Sequence, residues 1–494
     1  MLKLEFSLVQ ILTFSRTDIF VSWFQATVTL LFFNLKNYCK KYSHVSKQTK
    51  KQTPPKAYVG LFHTIKLLSG NDFPWFLLKT AKELQSFVFQ LNLKPILRCP
   101  MVVAVGDPDD AHAIFMDRFT TKPESLCKTF NDVNIGIPSI FTSNGDVWHS
   151  RRKSMAPAFS SRHIKRMNKV ASEKIDEWIR KRLLTLITRN EAFDVGKEMV
   201  DVTLSGISET AFEYQMSKHE RDQFVHDLQL CFKEFCFKTS LNPMRKIFGP
   251  CIAERRQAHD AAHRIHSLSL KIINSYRQVQ NPTKDTIIDR IMNDTKSYKN
   301  DAERAADVTV LLVAGHDTTA YTVAWTLKEL AKNPKEQQKL RDSLRLIGED
   351  GSREKCSVLG KVVKESMRLH PVAAGASIRT IGRNLATKNY YFPKGTIAFI
   401  PLILLHRNSD IFENPNCFKP SRWDKPTSVM NQAFRPFSAG KQNCIGQSLA
   451  KAQIHTIISK ICGKFELELV DEGRTDFFLF LRPVNTMIRA KGIH

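Results

Sequence analysis

The sequence predicts a mainly α-helical single domain with a minor β-sheet. Three observations lead there. Apolar residues recur at helical spacing through most of the chain, strand-like runs are short and fall late, and no linker or repeat divides the chain after residue 55. Helical periodicity covers Arg162–Leu186, Val200–Ala211, His259–Val279, Ala302–Leu330, Val358–Leu369 and Gln447–Cys462. Strand-like pieces sit at Tyr390–Phe392, Thr396–Ile400 and Phe465–Leu469.

Before the domain, Ile19–Leu35 carries no formal charge, although Gln25 and Asn34 interrupt it. Its 17 residues reach the lower edge of a membrane-spanning helix. Lys36, Lys40, Lys41, Lys47, Lys50 and Lys51 follow, whereas Lys3 and Arg16 ahead of it are offset by Glu5 and Asp18. That asymmetry predicts an anchor with the rest of the chain on the cytosolic side, and no small-residue cleavage site follows the apolar run. The expected organisation is a leader with the anchor candidate at 19–35, a basic linker over 36–56 closed by the stiff Pro54-Pro55 hinge, and a globular domain over 57–494.

Composition removes several classes. Of 494 residues, 42% are hydrophobic and 25% charged, which excludes a mainly disordered chain. No second apolar run is long enough to span a bilayer, so a polytopic membrane protein is excluded too. The ten cysteines are scattered without a C-x-x-C, against zinc ribbons, thioredoxin-like sites and c-type haem attachment. Dinucleotide, phosphate-loop, nucleophile-elbow and zinc-protease motifs are missing, so the chain is not expected to bind its own dinucleotide. Lys plus Arg exceed Asp plus Glu by 74 − 48 = 26. No nucleic-acid motif accompanies that surplus.

Cys444 is set apart by its context, Pro436-Phe437-Ser-Ala-Gly440-Lys441-Gln442-Asn443-Cys444-Ile445-Gly446. Glycines four before and two after it permit a tight turn and the close approach of something flat. A helix begins just beyond, and a thiol at a helix N-terminus is favoured as thiolate, able to act as nucleophile or metal ligand. Glu365 and Arg368 are three apart on one helix face, with Arg422 in Phe418-Lys-Pro-Ser-Arg422-Trp423 as a further partner if the pair is buried. Ala314-Gly315-His316-Asp317-Thr318-Thr319 falls in the middle of the longest helix, where Gly and β-branched Thr cost propensity. A local distortion, an ordinary kink, or two hydroxyls over a cavity would each explain it.

Taken in order, the A-G-x-D-T-T helix, E-x-x-R, F-x-P-x-R-W, F-x-x-G-x-x-x-C-x-G and Trp148-His-Ser-Arg151-Arg152 resemble the cytochrome P-450 superfamily of haem-thiolate monooxygenases. The resemblance spans the chain after the Pro-Pro hinge, and FTSNGDVWHSRRKSMAPAF and PFSAGKQNCIGQSLAKAQ look most like its fatty-acid ω-hydroxylase branch. It implies the cytochrome P-450 fold and non-covalent haem b, with Cys444 as the axial thiolate that favours O–O cleavage. Gly440 and Gly446 would make room for the ring and Phe437 would pack beside the sulfur. Trp148, Arg152 and Arg379 would hold the propionates. Glu365, Arg368 and Arg422 would form a structural lock behind the cysteine loop, while Asp317 and Thr318 would relay protons to bound O2.

The resemblance also implies electrons from NADPH through a flavoprotein reductase, with cytochrome b5 as a second candidate donor, at the endoplasmic reticulum membrane. Lys441, Lys451 and Arg435 near the cysteine loop are the first candidates for meeting an acidic reductase. Two positions depart from the family pattern. Gln442 stands where Arg is usual, so a propionate donor loses its charge, with neighbouring Lys441 as a partial substitute. Ala314 stands where some ω-hydroxylases carry a Glu that bonds haem covalently. A lipophilic substrate is expected against Val310–Thr319, Pro371–Ser377 and Asn131–Phe141, with a long-chain fatty acid first and sterols, carotenoids or xenobiotics as alternatives. A haem-thiolate isomerase or lyase acting on peroxides would need no proton relay, so the intact Asp317-Thr318 pair argues against it.

Overall fold

The computed structural model describes residues 53–58, 73–92, 102–239, 244–347, 356–375, 377–477 and 479–493. The anchor candidate at 19–35 and the basic run to residue 52 lie outside them. Among the described residues no helix is long and apolar enough to cross a membrane. The principal helices are α1 (Phe73–Glu83), α2 (Pro108–Met116), α3 (Gly145–Met155), α4 (Ser161–Trp178), α5 (Val195–Phe212), α6 (Lys218–Cys231), α7 (Ala253–Arg277), α8 (Asp301–Lys332), α9 (Ser357–Leu369) and α10 (Gln447–Cys462). Every helix expected from periodicity is present. The expected Arg162–Leu186 helix is α4 continued through a π-helical turn, Ile179–Leu183, into Leu184–Thr188.

Helix α8 is the axle. The Asn300 side chain caps its first turn by accepting from the Glu303 N–H, and its 32 residues are buried on most sides. Its first half, Ala305 to Val313, joins a core cluster with Leu204, Ile207 and Phe212 of α5 and Ile265 of α7. Its second half, Ala320 to Ala331, joins another with Leu359 of α9 and Ile457 of α10. Gly315 sits at the crossing with α5, where a Cβ would stand 2.7 Å from Ile207 Cγ1. The helix runs unbroken through this motif, so the glycine answers to close helix packing and not to a kink.

The largest sheet corrects the expectation that strands cluster late. Its order is β1-β2-β3-β8-β5, where β8 is Ile397–Phe399 and β5 is Ile378–Thr380, and β1 (Lys56–Tyr58), β2 (Val88–Asn92) and β3 (Val102–Val105) all come from the first 105 residues. β1 lies parallel to β2, and β2 antiparallel to β3. β3 is parallel to β8 (Ile397–Phe399), which is antiparallel to β5 (Ile378–Thr380). These early strands escape pattern reading because they are short, and β3 is buried at three consecutive positions with no alternation. The expected late strands are present as β7 (Tyr391–Phe392), β8 and β9 (Phe465–Asp471). An isolated antiparallel bridge, Thr121 to Thr380, ties the segment ahead of α3 to β5.

Gly315→Ala should lower the thermal midpoint, because overpacking against Ile207 costs about 1–3 kcal/mol while the gain in helix propensity is only about 1 kcal/mol. In an Ile207→Ala background the same change should cost much less, and a double-mutant cycle on unfolding midpoints reads the difference. Additive effects would detach the glycine from the crossing.

Candidate functional site

The cysteine loop is fixed from both ends. Cys444 N–H donates to the Phe437 carbonyl at 3.0 Å, and Asn443 N–H to that of Gly440 at 3.2 Å. Gly440 has φ +72°, and a Cβ there would lie 2.2 Å from the carbonyl oxygen of Phe115 near the end of α2, so only glycine fits. Gly446, the N-cap of α10, is under no such demand from the protein: an added Cβ would make ordinary contacts with Phe159 and the Cys444 sulfur. The Phe437 ring lies 5.4 Å from Lys451 Nζ.

Cys444 is a free thiol and an exposed residue, although surrounding protein partly desolvates its sulfur. Desolvation by the surrounding protein raises its pKa, against the opposing pulls of the Gly446 N–H and of Arg152. The helix N-terminus alone therefore does not make a thiolate here, contrary to the expectation from sequence. A cation bound at the sulfur would, since metal coordination removes the thiol proton outright.

Behind the loop, Glu365 and Arg368 on α9 are both fully buried. Arg368 Nε and Nη2 donate to the two carboxylate oxygens at 3.0 and 2.9 Å. The carboxylate also accepts from Arg422 Nε at 3.3 Å, the Lys419 N–H at 3.0 Å and Trp423 Nε1 at 3.0 Å. Arg368 spends its remaining donors on the carbonyls of His406, Pro415 and Cys417. His406 then accepts the Arg435 N–H through Nε2 at 3.0 Å, two residues before Phe437. A chain of hydrogen bonds thus runs from α9 into the cysteine loop.

Beside Cys444 stands a group of cations with no ion pair to an acid among the described residues. Arg379 on β5 is only 6% exposed, and its single hydrogen bond among the described residues goes to the carbonyl of Ile378. Burial pulls its pKa down to about 10. Arg152 on α3 donates twice to Asn443, to the carbonyl and to Oδ1, each at 2.9 Å. Trp148, one helical turn earlier, is buried, and no hydrogen bond from its indole N–H to a described residue accompanies it. Lys122, which sequence reading missed, lies 5.8 Å over the Trp148 ring and feels both Arg379 and Arg152. Gln442 Oε1 is buried with no partner. Lys441 turns outward to the Arg118 carbonyl at 3.0 Å and does not stand in for a charge at Gln442.

On α8, Ala314 is exposed and Val310, Gly315 and Thr318 are half-buried, although the helix around them is buried. Positions 310, 314 and 318 share one face at i, i+4 spacing, so that face borders open space. Val310 and Ile445, the neighbour of Cys444, flank the same core cluster. Thr318 Oγ1 donates to the Ala314 carbonyl at 2.8 Å, so the reading of two hydroxyls over a cavity holds for one hydroxyl. Asp317 faces another way. It lies 3.1 Å from His316 Nε2 and lines a cleft with His316, Tyr321, Phe232, Phe480 and Arg482. His316 is fully buried, its Nδ1 is 2.7 Å from the Leu312 carbonyl, and Asp317 raises its pKa against the pull of burial.

The residues present suit a flat, dianionic, iron-bearing ring: a sulfur on a loop made slim by glycine, unpaired cations beside it, and a hollow helix face with a hydroxyl. These features define the haem-thiolate class. The chain belongs to the cytochrome P450 family, whose model matches residues 62–488. It is similar to a cytokinin hydroxylase of Arabidopsis thaliana, 28% identical over 68% of this chain and 67% of the relative. It is also similar to cytochrome P450 4c21 of Blattella germanica (26%, covering 71% and 75%) and to a taurochenodeoxycholic 6 alpha-hydroxylase of Sus scrofa (26%, covering 66% and 69%). The protein is thus an oxidoreductase of the monooxygenase type, and membership implies thiolate-ligated haem b, dioxygen and a redox partner.

Burial and Arg368 push the His406 imidazole down to about 3, from an ordinary value of 6.5, and its hydrogen bond to Arg435 needs the neutral ring. Below pH 6.5 the unfolded chain takes up a proton there that the folded chain refuses, so this contribution to stability falls as pH falls towards 3, by at most about 1.4 kcal/mol per pH unit. The urea midpoint should drop on going from pH 7 to 5, and less steeply in His406→Gln. Equal slopes would remove His406 from the acid sensitivity.

Proposed function

We propose that this protein is a membrane-tethered monooxygenase that hydroxylates a long-chain fatty acid or similar lipophile, with electrons from NADPH delivered by a flavoprotein reductase. The observation that carries the site reading is the placement of Cys444 beside Arg152, within a group of cations that no carboxylate of the described chain neutralises. Cys444 would bind the iron, and Arg152, Arg379 and Trp148 the propionates, with Gln442 adding at most an uncharged amide donor. When bound, the haem supplies the activation of dioxygen.

The chain's own residues would do the rest. Gly440 lets the loop pass close to α2, and Phe437 holds the Cys444 N–H through its carbonyl. The Glu365–Arg368–Arg422 network keeps that loop from moving when the ligand binds. His316 Nδ1 lies 2.7 Å from the Leu312 carbonyl, so its N–H donates there, and Nε2 faces the Asp317 carboxylate at 3.1 Å. Asp317 would pass protons by way of water to the neighbourhood of Thr318 Oγ1, which gives its own hydrogen to the Ala314 carbonyl. Val310 and Ala314 offer the substrate an apolar, sterically small wall.

The fatty-acid reading rests on the likeness of the segments around Trp148 and Cys444 to the ω-hydroxylase branch, and on relatives that are hydroxylases by name. The tether would be the leader over 1–35, joined by the basic 36–56 segment to the catalytic domain at 57–494, on the cytosolic side of the endoplasmic reticulum membrane. Exposed Lys441 and Lys451 flank the loop, and the surplus of 26 positive charges supports attraction to an acidic reductase.

The reduced, carbon-monoxide-bound spectrum of the purified protein should show a strongly red-shifted Soret band that Cys444→Ala abolishes, and acid–organic extraction should release all the haem because Ala314 has no carboxyl to bond it. An unshifted band in the wild type would end the thiolate reading. First-electron transfer from a microsomal NADPH reductase should slow severalfold between 20 and about 300 mM salt as screening shortens to under 10 Å. Lys441→Glu with Lys451→Glu should flatten that dependence. A rate indifferent to salt and to both charges would place docking elsewhere.

A further inference from the structure

We propose that Tyr321 and Arg482 are positioning residues for Asp317: the Tyr321 hydroxyl, held by Arg482, donates to the Asp317 carboxylate and keeps it facing the cleft, from which it takes up protons. The inference rests on the proton-relay reading above and concerns which of this chain's residues hold the relay acid ready.

One face of α8 sets up the arrangement. Asp317, Tyr321 and Trp325 follow one another at i, i+4 and i+8, so their side chains leave the helix on the same side. Trp325, 1% exposed, donates its indole N–H to the Leu481 carbonyl at 3.0 Å. The Leu481 N–H donates to the Val372 carbonyl at 2.8 Å. These two bonds pin the start of the strand Leu481–Val484 against α8. The next residue is Arg482, which shares the cleft wall with Tyr321, His316 and Asp317.

Each member of the group has a partner. In the antiparallel pairing of Arg474–Phe477 with Leu481–Val484, Arg482 stands opposite Asp476. It donates to Asp476 Oδ2 through Nε at 3.2 Å and Nη2 at 2.7 Å, and Asp476 is buried. The guanidinium also hydrogen-bonds the Tyr321 hydroxyl, which is bonded to Asp317 as well. A guanidinium only donates, so the phenol oxygen accepts there and its one hydrogen is left for the Asp317 carboxylate. Burial and Asp317 raise the phenol well above its ordinary range, so it stays protonated.

Packing does not account for that hydroxyl. Tyr321 belongs to the apolar core cluster of the second half of α8, where a phenylalanine ring would fill the same space. What the hydroxyl adds is a spacer between an acid and a cation. A direct Arg482–Asp317 ion pair would favour the charged carboxylate and oppose its taking up a proton. With Asp476 neutralising the guanidinium and Tyr321 standing between, Asp317 receives a hydrogen bond without that pairing.

The test uses the ferric holoenzyme first, without turnover. Urea midpoints are compared for the wild type, Tyr321→Phe, Asp317→Ala and the double variant. The loss caused by Tyr321→Phe should shrink to less than about half in the Asp317→Ala background, because its partner is already gone. Additive losses would uncouple the two side chains and overturn the proposal. Oxygen uptake driven by NADPH and a microsomal reductase is then followed without added substrate, in H2O and in D2O. Tyr321→Phe should slow it about tenfold, a part of what a general acid contributes, and raise its solvent isotope effect, with the red-shifted carbon-monoxide band unchanged. Arg482→Gln should move both readouts the same way. In the Asp317→Ala background, Tyr321→Phe should change neither by more than about twofold. A tyrosine that only filled space would leave rate and isotope effect alone, and that result, or the same factor with and without Asp317, overturns the proposal. Should the double variant not hold haem, Arg482→Gln decides, since unchanged readouts with Asp317 in place would equally overturn it. If Asp317→Ala by itself matches the wild type in both readouts, the relay reading fails instead.

Discussion

Glu365 has no exposure to water, and much of the proximal half of the molecule is arranged around it. A lone buried carboxylate is prohibitively expensive, so the fold surrounds it with five donors from four residues. Those donors belong to α9 and to residues 419–423, where the only regular structure is one short 3-10 turn, Pro420–Trp423. The carboxylate thus does for this stretch what a sheet does elsewhere: it gives the backbone a fixed place. Losing one partner would strand the remaining charge, a penalty of about 3–5 kcal/mol. Its value lies less in net stability than in specifying one arrangement of the loop that carries Cys444.

The other fixed reference is α8. Because its two halves belong to different core clusters, it cannot shift along its axis without disturbing both. That rigidity allows the middle to be unusual, with Ala314 and Thr318 facing a hollow and Asp317 and His316 turned to a separate cleft. One turn of helix therefore separates two environments, an apolar wall on one side and the His316–Asp317 pair on the other. The crossing with α5 at Gly315 brings the neighbouring helix close enough to close the back of that turn.

The sequence carried the fold class, the major helices and the residues of the proximal network, because each leaves a signature: a 3.6-residue period, an i, i+3 charge pair, glycines around a cysteine. What stayed hidden has a common cause. The strands β1 to β3 are too short to show alternation, and their pairing partners lie up to three hundred residues away. Lys122 is one of many lysines in a basic chain. Only the bridge at Thr121 and the amide of Asn144 single it out, and neither is local information. His316 was in plain view within its motif, but its bond to the Leu312 carbonyl, which turns Nε2 towards Asp317, was not. Gly446 teaches the reverse lesson: a residue read as sterically required can be under no pressure from the protein, leaving any demand on it to the ligand.

The uncompensated cations around Arg379 bear on how the molecule comes into being. Arg379 and Arg152 both repel Lys122, and the three sit where β5, the segment ahead of α3 and the cysteine loop meet. A binding group that neutralises them stabilises only the folded arrangement, so its affinity is drawn directly into the stability of that junction. The newly made chain should therefore complete its outer helices first and close this junction last, at cofactor capture. In a cell, haem supply would then govern not only activity but how long the unfinished chain stays open to proteases.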